Sequence, residues 1–257
     1  MKLKDIINTI EKYYPPYLAY DWDNPGLFYG NPEKEIKKIV TTLDITVDVI
    51  NDAISQKADM ILSHHPFTMS GLKNLSDNSM HSVMCELIIK NDICIYSAHT
   101  NMDVAENGIN QKLCELFNLK NTQILEIDRK YENAGLGRIG DLETETELFD
   151  FCQKVKTTLN TPFVRVCGEN RKIKKVCVAS GSCSEFIKDA IIKCADVVIT
   201  GDMKYHESIN YVFDGIAIID AGHYPTEAIV CDMFYDILKD NDLEIIKAKQ
   251  YDIFKVI

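Results

Sequence analysis

Apolar segments of strand length alternate with segments of helical spacing along most of this chain. Within the strand segments the apolar residues are consecutive rather than alternating, as in KKVCVAS (174–180) and DVVITGD (196–202). Strands of this kind are buried on both faces, which favours mostly parallel sheets covered by helices. The pattern therefore predicts an α/β fold.

The order of the predicted elements follows from these runs. The predicted strands are 36–44, 59–64, 92–99, 174–180, 196–202, 215–222 and 243–249. The predicted helices are 46–56, 82–91, 107–119, 144–159, 184–195 and 225–241. Three start signals support the helices: Thr46 as an N-cap, Thr144 and Glu147 at capping-box spacing, and Pro225 at a first helical position.

A more polar stretch interrupts the alternation at 121–143 and carries three glycines. We place a boundary there, near residues 125–130. It separates an N-terminal α/β lobe (1–125) from a C-terminal α/β lobe (126–234), and we expect 235–257 to be able to pack back on the first lobe. The predicted architecture is two interacting lobes.

Charge and composition exclude several functional classes. The net charge is −11, which argues against a general nucleic-acid binder, because affinity for phosphates rests on Lys and Arg. No apolar run is long enough for a membrane span and no signal peptide is recognisable, so we expect a cytoplasmic protein. The nine cysteines include no C-x-x-C pair and lie mostly in apolar runs, which is typical of buried, reduced thiols rather than zinc ligands. The sequence also lacks a P-loop motif.

Histidines mark the ends of the predicted strands. Five of the six lie at or just beyond a carboxyl end, in ILSHHP, IYSAHTNMD, ITGDMKYHE and IIDAGHYPTE. Ligands of open α/β sheets bind at that edge. Carboxylates accompany the histidines, namely Asp103, Asp202, Glu207, Asp220 and Glu227. Imidazole and carboxylate donors suit Zn, Mn, Fe or Ni, although a histidine at a strand end can also be a hydrogen-bonded structural residue. We expect His81 to be structural or exposed.

The adjacent pair His64 and His65 favours two ions rather than one. Neighbouring residues at a strand end point to opposite sides, so each imidazole can serve a different ion. Asp103 and Glu227 are the natural bridging groups, and His223 lies four residues before Glu227. Three neutral imidazoles and two carboxylates leave a pair of dications at +2, which favours a bound hydroxide at neutral pH.

Three further features have two interpretations each. SGSCS (180–184) is either an anion cradle or a strand-to-helix turn with Ser184 as the N-cap, and we favour the turn. Trp22 is either a packing anchor or a wall or lid of the metal pocket. Lys204 is either a solvated charge or a contact for an anionic substrate.

The ordered blocks of the chain resemble those of the Nif-three-like family, whose bacterial members are commonly called GTP cyclohydrolase 1 type 2 homologues. The matching blocks are WDNPGL (22–27), SHHP, SAHTNMD with the following Asn107-Gly108, TGDMKYHE and DAGHYPTE. The resemblance spans essentially the whole chain, which looks like a short form without the mid-chain insert of longer members. SGSCSEF departs from the glycine-rich turn frequent in the family, and Cys183 puts a phosphate cradle there in doubt.

The resemblance implies a dinuclear metal centre in the cleft between two α/β lobes, and a toroidal homohexamer. The family's ligands match His64, His65, Asp103, His223 and Glu227, with His64 and His65 on different metals and Glu227 bridging.

These features lead us to predict a hydrolase with two divalent ions per chain (Zn, Fe, Mn or Ni) that acts on a nucleotide or related small molecule through a metal-bound hydroxide. His99 or His206 would move protons to the leaving group. The family name implies opening of the GTP imidazole ring at C8 with release of formate, and phosphodiester hydrolysis is a rival of the same class. The alternative is a non-catalytic, metal-binding regulatory or interaction protein. A nucleic-acid-associated factor is disfavoured by the charge.

Overall fold

The computed structural model describes residues 1–76, 79–127, 131 and 133–257 and has an α/β fold with two sheets. Its strands are β1 (Gly26–Tyr29), β2 (Lys38–Thr42), β3 (Met60–Ser63), β4 (Cys94–Ser97), β5 (Lys120–Ile127), β6 (Gly135–Glu147), β7 (Arg165–Cys167), β8 (Lys172–Val178), β9 (Val197–Thr200), β10 (Ala217–Asp220) and β11 (Glu244–Lys247). Its α-helices are α1 (Leu3–Tyr13), α2 (Val47–Ser55), α3 (Met80–Lys90), α4 (Thr100–Val104), α5 (Ile109–Leu116), α6 (Leu148–Thr158), α7 (Ile187–Ile192), α8 (Tyr205–Phe213), α9 (His223–Glu227) and α10 (Val230–Leu238). Short 3-10 helices cover Pro16–Leu18 and Ser184–Phe186.

Unit 1 consists of Met1–Met102 and Ala228–Tyr251. Its sheet has the order β1-β4-β3-β2-β11, in which β1 is antiparallel to β4 and the other pairs are parallel. Helices α2 and α3 cover it with buried side chains such as Ile50 and Ile88. The carboxyl ends of β2, β3 and β4 are therefore neighbours at one edge, where the chain continues into the histidine segments.

Unit 2 consists of Asp103–Glu227 and Asp252–Ile257. Its sheet has the order β5-β6-β8-β9-β10-β7. Strands β8, β9 and β10 are parallel, whereas the pairs at the two margins are antiparallel. Helices α7 and α8 bury Ile187 and Tyr211 against Cys177, Val198 and Ile218 of the parallel strands. The ends of these three strands lead into the glycine, aspartate and histidine segments.

The chain passes from one unit to the other at 102/103 and returns at 227/228, whereas the polarity of 121–143 led us to predict a boundary near 125–130. The polar stretch contains β5, an edge strand paired with β6, and an edge strand exposes more side chains than a central one. Residues 128–130 of the predicted boundary lie outside the described residues. The second segment of unit 1, Ala228–Tyr251, contains β11, which pairs with β2.

The helix start signals have mixed outcomes. Thr46 is confirmed as an N-cap, because its side chain accepts a hydrogen bond from the Val49 amide at 3.2 Å. The capping box at Thr144 and Glu147 is wrong: both residues belong to β6, which continues because it pairs with β8. The Pro225 start is also wrong, because α9 begins two residues earlier and α10 is a separate helix.

The cysteines match the prediction of buried thiols with two exceptions. All are free, and Cys167 is half-buried while Cys194 is exposed. Among the described residues, no helix combines the length and apolar character that crossing a bilayer requires.

Candidate metal-binding clusters

Three histidines of unit 1 form what we call the imidazole cluster: His64, His65 and His99. His64 and His65 directly follow β3, and His99 follows β4, the strand beside it. The ring centroids lie 5.2 to 5.5 Å apart, and one nitrogen of each ring lies within 4.8 Å of the others. The parallel pairing of β3 and β4 thus places three nitrogen donors in one small region.

Each ring of the imidazole cluster is oriented through its Nδ1 atom. The acceptors are the Ala98 carbonyl for His64 at 2.8 Å, the Asp44 carboxylate for His65 at 2.6 Å and the Asp23 carboxylate for His99 at 2.8 Å. An imidazole that donates from Nδ1 carries its lone pair on Nε2, and metal-binding histidines are commonly held in this way. The donor set and its support therefore fit a divalent transition metal ion.

The side chain of Asp23, which is buried, fixes His99. Its carboxylate also accepts hydrogen bonds from the Thr100 amide, at 3.0 Å, and from the Thr100 hydroxyl. Burial alone would raise the pKa of Asp23, but the bonds from His99 and Thr100 outweigh it and lower the pKa to about 2. Asp23 is therefore an ionised acceptor at neutral pH.

Trp22 lies against the same histidine. Its ring meets His99 edge-on at a centroid distance of 6.2 Å and stacks on Tyr20 at 5.7 Å, yet it remains 61% exposed. An aromatic ring with this exposure adds little to a core. The contact favours the interpretation of Trp22 as a wall beside the imidazole cluster.

Unit 2 holds what we call the carboxylate cluster: Asp103, His223 and Glu227. His223 Nε2 lies 2.9 Å from Glu227 Oε2, and its Nδ1 lies 2.8 Å from Asp202 Oδ2. One oxygen of Asp103 and one of Glu227 are within 4.8 Å of each other, although both residues are buried. Two buried carboxylates so close together are stabilised by a cation, so this donor set also fits a metal.

A close backbone approach supports the carboxylate cluster. Gly181 follows β8 with φ +62°, and a Cβ atom at this position would lie 2.1 Å from Glu227 Oε1. The Gly181 amide donates to Thr226 Oγ1 at 3.0 Å, and that hydroxyl donates to the Gly222 carbonyl at 2.9 Å. Only glycine leaves room for the Glu227 carboxylate here.

The SGSCS segment is the predicted strand-to-helix turn, between β8 and α7, but its predicted N-cap is wrong. Ser184 is not an N-cap: it begins a 3-10 helix whose N-cap is Cys183, and no side chain caps that turn. The Ser180 and Gly181 amides donate to Asn110 and Thr226, so these two groups are not available to an anion. The segment also contacts the Glu227 carboxylate, through the close approach of Gly181.

Cys183 lies near the carboxylate cluster as a neutral thiol. Its Sγ donates to the Ser180 carbonyl at 3.0 Å. Burial, with the nearby Asp103 and Glu227 carboxylates, raises the pKa of this thiol well above its usual range. In the described part of the chain, the groups able to hold a metal contain no cysteine.

The remaining sequence candidates lie elsewhere. His206 is an exposed residue of α8 rather than of a turn, and its ring contacts Tyr205 at 5.4 Å. Lys204 is exposed and pairs with Glu207 at 3.4 Å, as a solvated charge does. His81 packs edge-on against Phe67 at 5.7 Å, as expected of a structural residue.

Asp220, a predicted companion carboxylate, shapes the loops of unit 2. It accepts hydrogen bonds from the Met203 and Gly222 amides at 3.1 and 3.0 Å and pairs with Arg165. These bonds fix the two segments that carry Asp202 and His223.

Sequence reasoning missed the supporting residues Asp23, Asp44 and Gly181. Asp44 lies just beyond the carboxyl end of β2, which is the same kind of position that singled out the histidines. Nothing in the sequence links Asp23 to His99 or Gly181 to Glu227, because these contacts depend on the tertiary structure.

Known proteins resemble this chain over nearly its whole length. The family model described as Duf34/NIF3 (NGG1p interacting factor 3) matches residues 1–252. A Clostridium perfringens protein named GTP cyclohydrolase 1 type 2 homolog is 36% identical over 254 residues, 97% of each chain. A Methanocaldococcus jannaschii protein of the same name is 36% identical over 250 residues, 96% of this chain and 98% of its own.

Solved structures share the fold. A Bacillus cereus protein related to NIF3 superposes with a TM-score of 0.91 at 26% identity, covering 100% of this chain and 99% of its own. Reduced HcgD from Methanocaldococcus jannaschii gives a TM-score of 0.85 at 35% identity, covering 97% and 98%. The resemblance found in the sequence blocks is thereby confirmed, and the chain belongs to the Duf34/NIF3 family.

Proposed function

We propose that this protein binds two divalent metal ions and uses them for hydrolysis. The proposed ligands are His64 and His65 of the imidazole cluster with Asp103, His223 and Glu227 of the carboxylate cluster. The proposal depends on one observation: every proposed imidazole ligand is oriented by a hydrogen bond at Nδ1, which lies 2.6 to 2.8 Å from an oxygen acceptor. This leaves Nε2 of each ring to bind an ion. As the family resemblance implies, His64 and His65 would hold different ions and Glu227 would be shared between them.

The proposed ligands neutralise only part of the charge of the two ions. Three neutral imidazoles and the carboxylates of Asp103 and Glu227 leave two dications with a net charge of +2. When bound, such a pair supplies Lewis-acid polarisation of the substrate and activation of water at neutral pH. The metal is Zn, Fe, Mn or Ni, all of which accept imidazole and carboxylate donors.

His99 is the better placed of the two proposed proton carriers. Asp23 holds its Nδ1, so a proton is moved at Nε2, and the His64 and His65 rings lie 5.2 and 5.5 Å away. His206 is exposed on α8, where its ring contacts Tyr205.

The substrate class is a nucleotide or a related small molecule. The relatives named GTP cyclohydrolase 1 type 2 homolog support this choice, with GTP ring opening as the first reaction to test. The test is a screen of metal-loaded protein against GTP, other nucleotides and phosphodiesters, with release of formate and phosphate measured.

We expect turnover that requires both divalent ions and that disappears in His64→Ala and Glu227→Ala, as at least one ion per chain is lost. His81→Ala is the matched control, because His81 lies outside both clusters. Metal-loaded protein that turns over none of these substrates would contradict the hydrolase and favour the non-catalytic metal-binding alternative.

We also propose that six copies assemble, as the family resemblance implies. Light scattering at micromolar concentration should give about six times the mass of one chain, 29.2 kDa. A monomeric mass would contradict this proposal without affecting the metal ligands.

A further inference from the structure

The imidazole cluster holds one more nitrogen donor than the proposed dinuclear centre uses. His64, His65 and His99 all belong to unit 1, and one nitrogen of each lies within 4.8 Å of the other two. Two nitrogens bound to one tetrahedral zinc ion are roughly 3.4 Å apart, given Zn–N bonds of about 2.1 Å. The separations between these nitrogens would therefore have to shorten by at most about 1.4 Å for all three to bind one ion.

His99 is supported in the same way as the two proposed ligands beside it. Its Nδ1 lies 2.8 Å from Asp23, as that of His65 lies 2.6 Å from Asp44. Asp23 is itself fixed by the Thr100 amide and hydroxyl. A carboxylate behind an imidazole fixes the ring and raises its basicity as a metal ligand. This support suits a proton carrier as well as a metal ligand, and the closeness of the three donor nitrogens is what points to a shared ion.

We propose that His64, His65 and His99 form a mononuclear site of their own, which holds one divalent ion without any ligand from unit 2. This inference rests on the proposed function only in that two of its ligands are shared with the dinuclear centre. In the fully loaded protein the five proposed ligands suffice, and His99 is then released for proton transfer.

The donor set defines the ions that this site accepts. Three neutral imidazoles with no carboxylate favour Zn²⁺, Co²⁺ or Ni²⁺ over Mg²⁺ and Ca²⁺, which require oxygen ligands. Three protein ligands also leave a coordination position open for water or an exchanging ligand. The site is thus suited to retain the first ion while the second is absent.

The test removes the ligands of unit 2 and counts the ions that remain. The full-length variant Asp103→Asn/His223→Gln/Glu227→Gln is titrated with Co²⁺, and binding is followed by equilibrium dialysis and by the visible absorption of cobalt. We expect one Co²⁺ per chain. Adding His99→Gln should weaken its binding at least 100-fold, whereas adding His81→Gln, the matched control, should leave it unchanged. A tenfold excess of Mg²⁺ should not displace the ion.

A milder pair of variants repeats the test if the triple substitution destabilises the chain. Glu227→Gln alone should retain one Co²⁺, and His99→Gln/Glu227→Gln should lose it. The inference is overturned if the wild type binds two ions while the triple variant, folded by circular dichroism, binds none. The inference is also overturned if the triple variant keeps its ion at full affinity when His99→Gln is added. A wild type that binds no ion would instead contradict the proposed function, so the two failures are distinguishable.

Discussion

The imidazole and carboxylate clusters are built differently although each follows the ends of parallel strands. In unit 1 the proposed metal-binding groups are imidazoles, each oriented by a hydrogen bond that its Nδ1 donates to a carboxylate or a carbonyl. In unit 2 two of the three donors are buried carboxylates, and the backbone at Gly181 closely approaches one of them. Unit 1 therefore supplies directed lone pairs, whereas unit 2 supplies negative charge in a confined space.

This difference determines which substitutions damage each cluster. A change in a hydrogen-bond acceptor misorients an imidazole in unit 1 but leaves its donor in place. An added methyl group displaces a carboxylate in unit 2 without altering any hydrogen-bonding group of a side chain. The two clusters can therefore be tested separately.

The largest expected effect separates the ligands from the proton carriers. His99→Ala and His206→Ala should keep both ions, with metal affinity reduced by about 10- to 100-fold at most. The variant that removes the acting proton carrier should lower turnover of a verified substrate by roughly 100- to 10,000-fold. Metal analysis and kcat measured on the same samples check both points.

The assignment fails if either variant loses its metal as His64→Ala does. It also fails if both variants leave turnover unchanged. The geometry favours the larger loss of turnover in His99→Ala.

The next effect concerns the backbone approach in unit 2. Gly181→Ala places a methyl group 2.1 Å from Glu227 Oε1, so the carboxylate must move. We expect binding of the second ion to weaken by more than the roughly 100-fold that loss of an outer-shell partner can cost, because a proposed ligand is itself displaced. Isothermal titration calorimetry measures this loss.

Gly215→Ala is the matched control for the backbone strain. Gly215 also has a positive φ, +93°, but no atom lies within 4 Å of an added Cβ. Gly215→Ala should lower the free energy of unfolding by about 1–3 kcal/mol and leave metal affinity unchanged. Equal metal affinity in the two variants would show that the approach to Glu227 is irrelevant.

A smaller effect is expected from the acceptors that orient the imidazoles. Asp44→Asn and Asp202→Asn remove the carboxylates behind His65 and His223, and each should lower metal affinity about 10- to 100-fold. Asp236→Asn, which removes an exposed ion pair with Lys239, is the control. Affinities equal to that of the control would contradict the orienting role.

The smallest effect is expected at Trp22. Trp22→Ala removes the ring edge that contacts His99 but no hydrogen bond to it, so metal affinity should change less than about tenfold. Trp22→Phe should restore most of the loss. A complete loss of metal in Trp22→Ala would assign this side chain a larger role than the contact explains.

The sequence predicted the parallel strands and the histidines at their ends, because consecutive apolar residues and strand-end positions are local signals. It did not predict α8 or the edge strands β1 and β7, whose side chains are partly exposed. It also missed α1, although Leu3, Ile6 and Ile10 have helical spacing and are buried. The capping box at Thr144 failed because pairing of β6 with β8 outweighs a local capping preference.

The supporting residues Asp23 and Gly181 could not be predicted from the sequence, for a different reason. Asp23 lies 76 positions before His99, and Gly181 lies 46 before Glu227. Each partnership exists only after strands from separate parts of a unit have been assembled. Periodicity and spacing report on near neighbours and carry no information about such pairs.

The most direct test of the central claim is the metal content of the wild-type protein at saturation. The chain is purified without added metal, loaded with an excess of Zn²⁺ or Mn²⁺, freed of unbound ions by dialysis, and measured by elemental analysis and native mass spectrometry. We predict two divalent ions per chain, falling to one in Glu227→Ala. A saturated wild type with one ion or none would contradict the dinuclear centre.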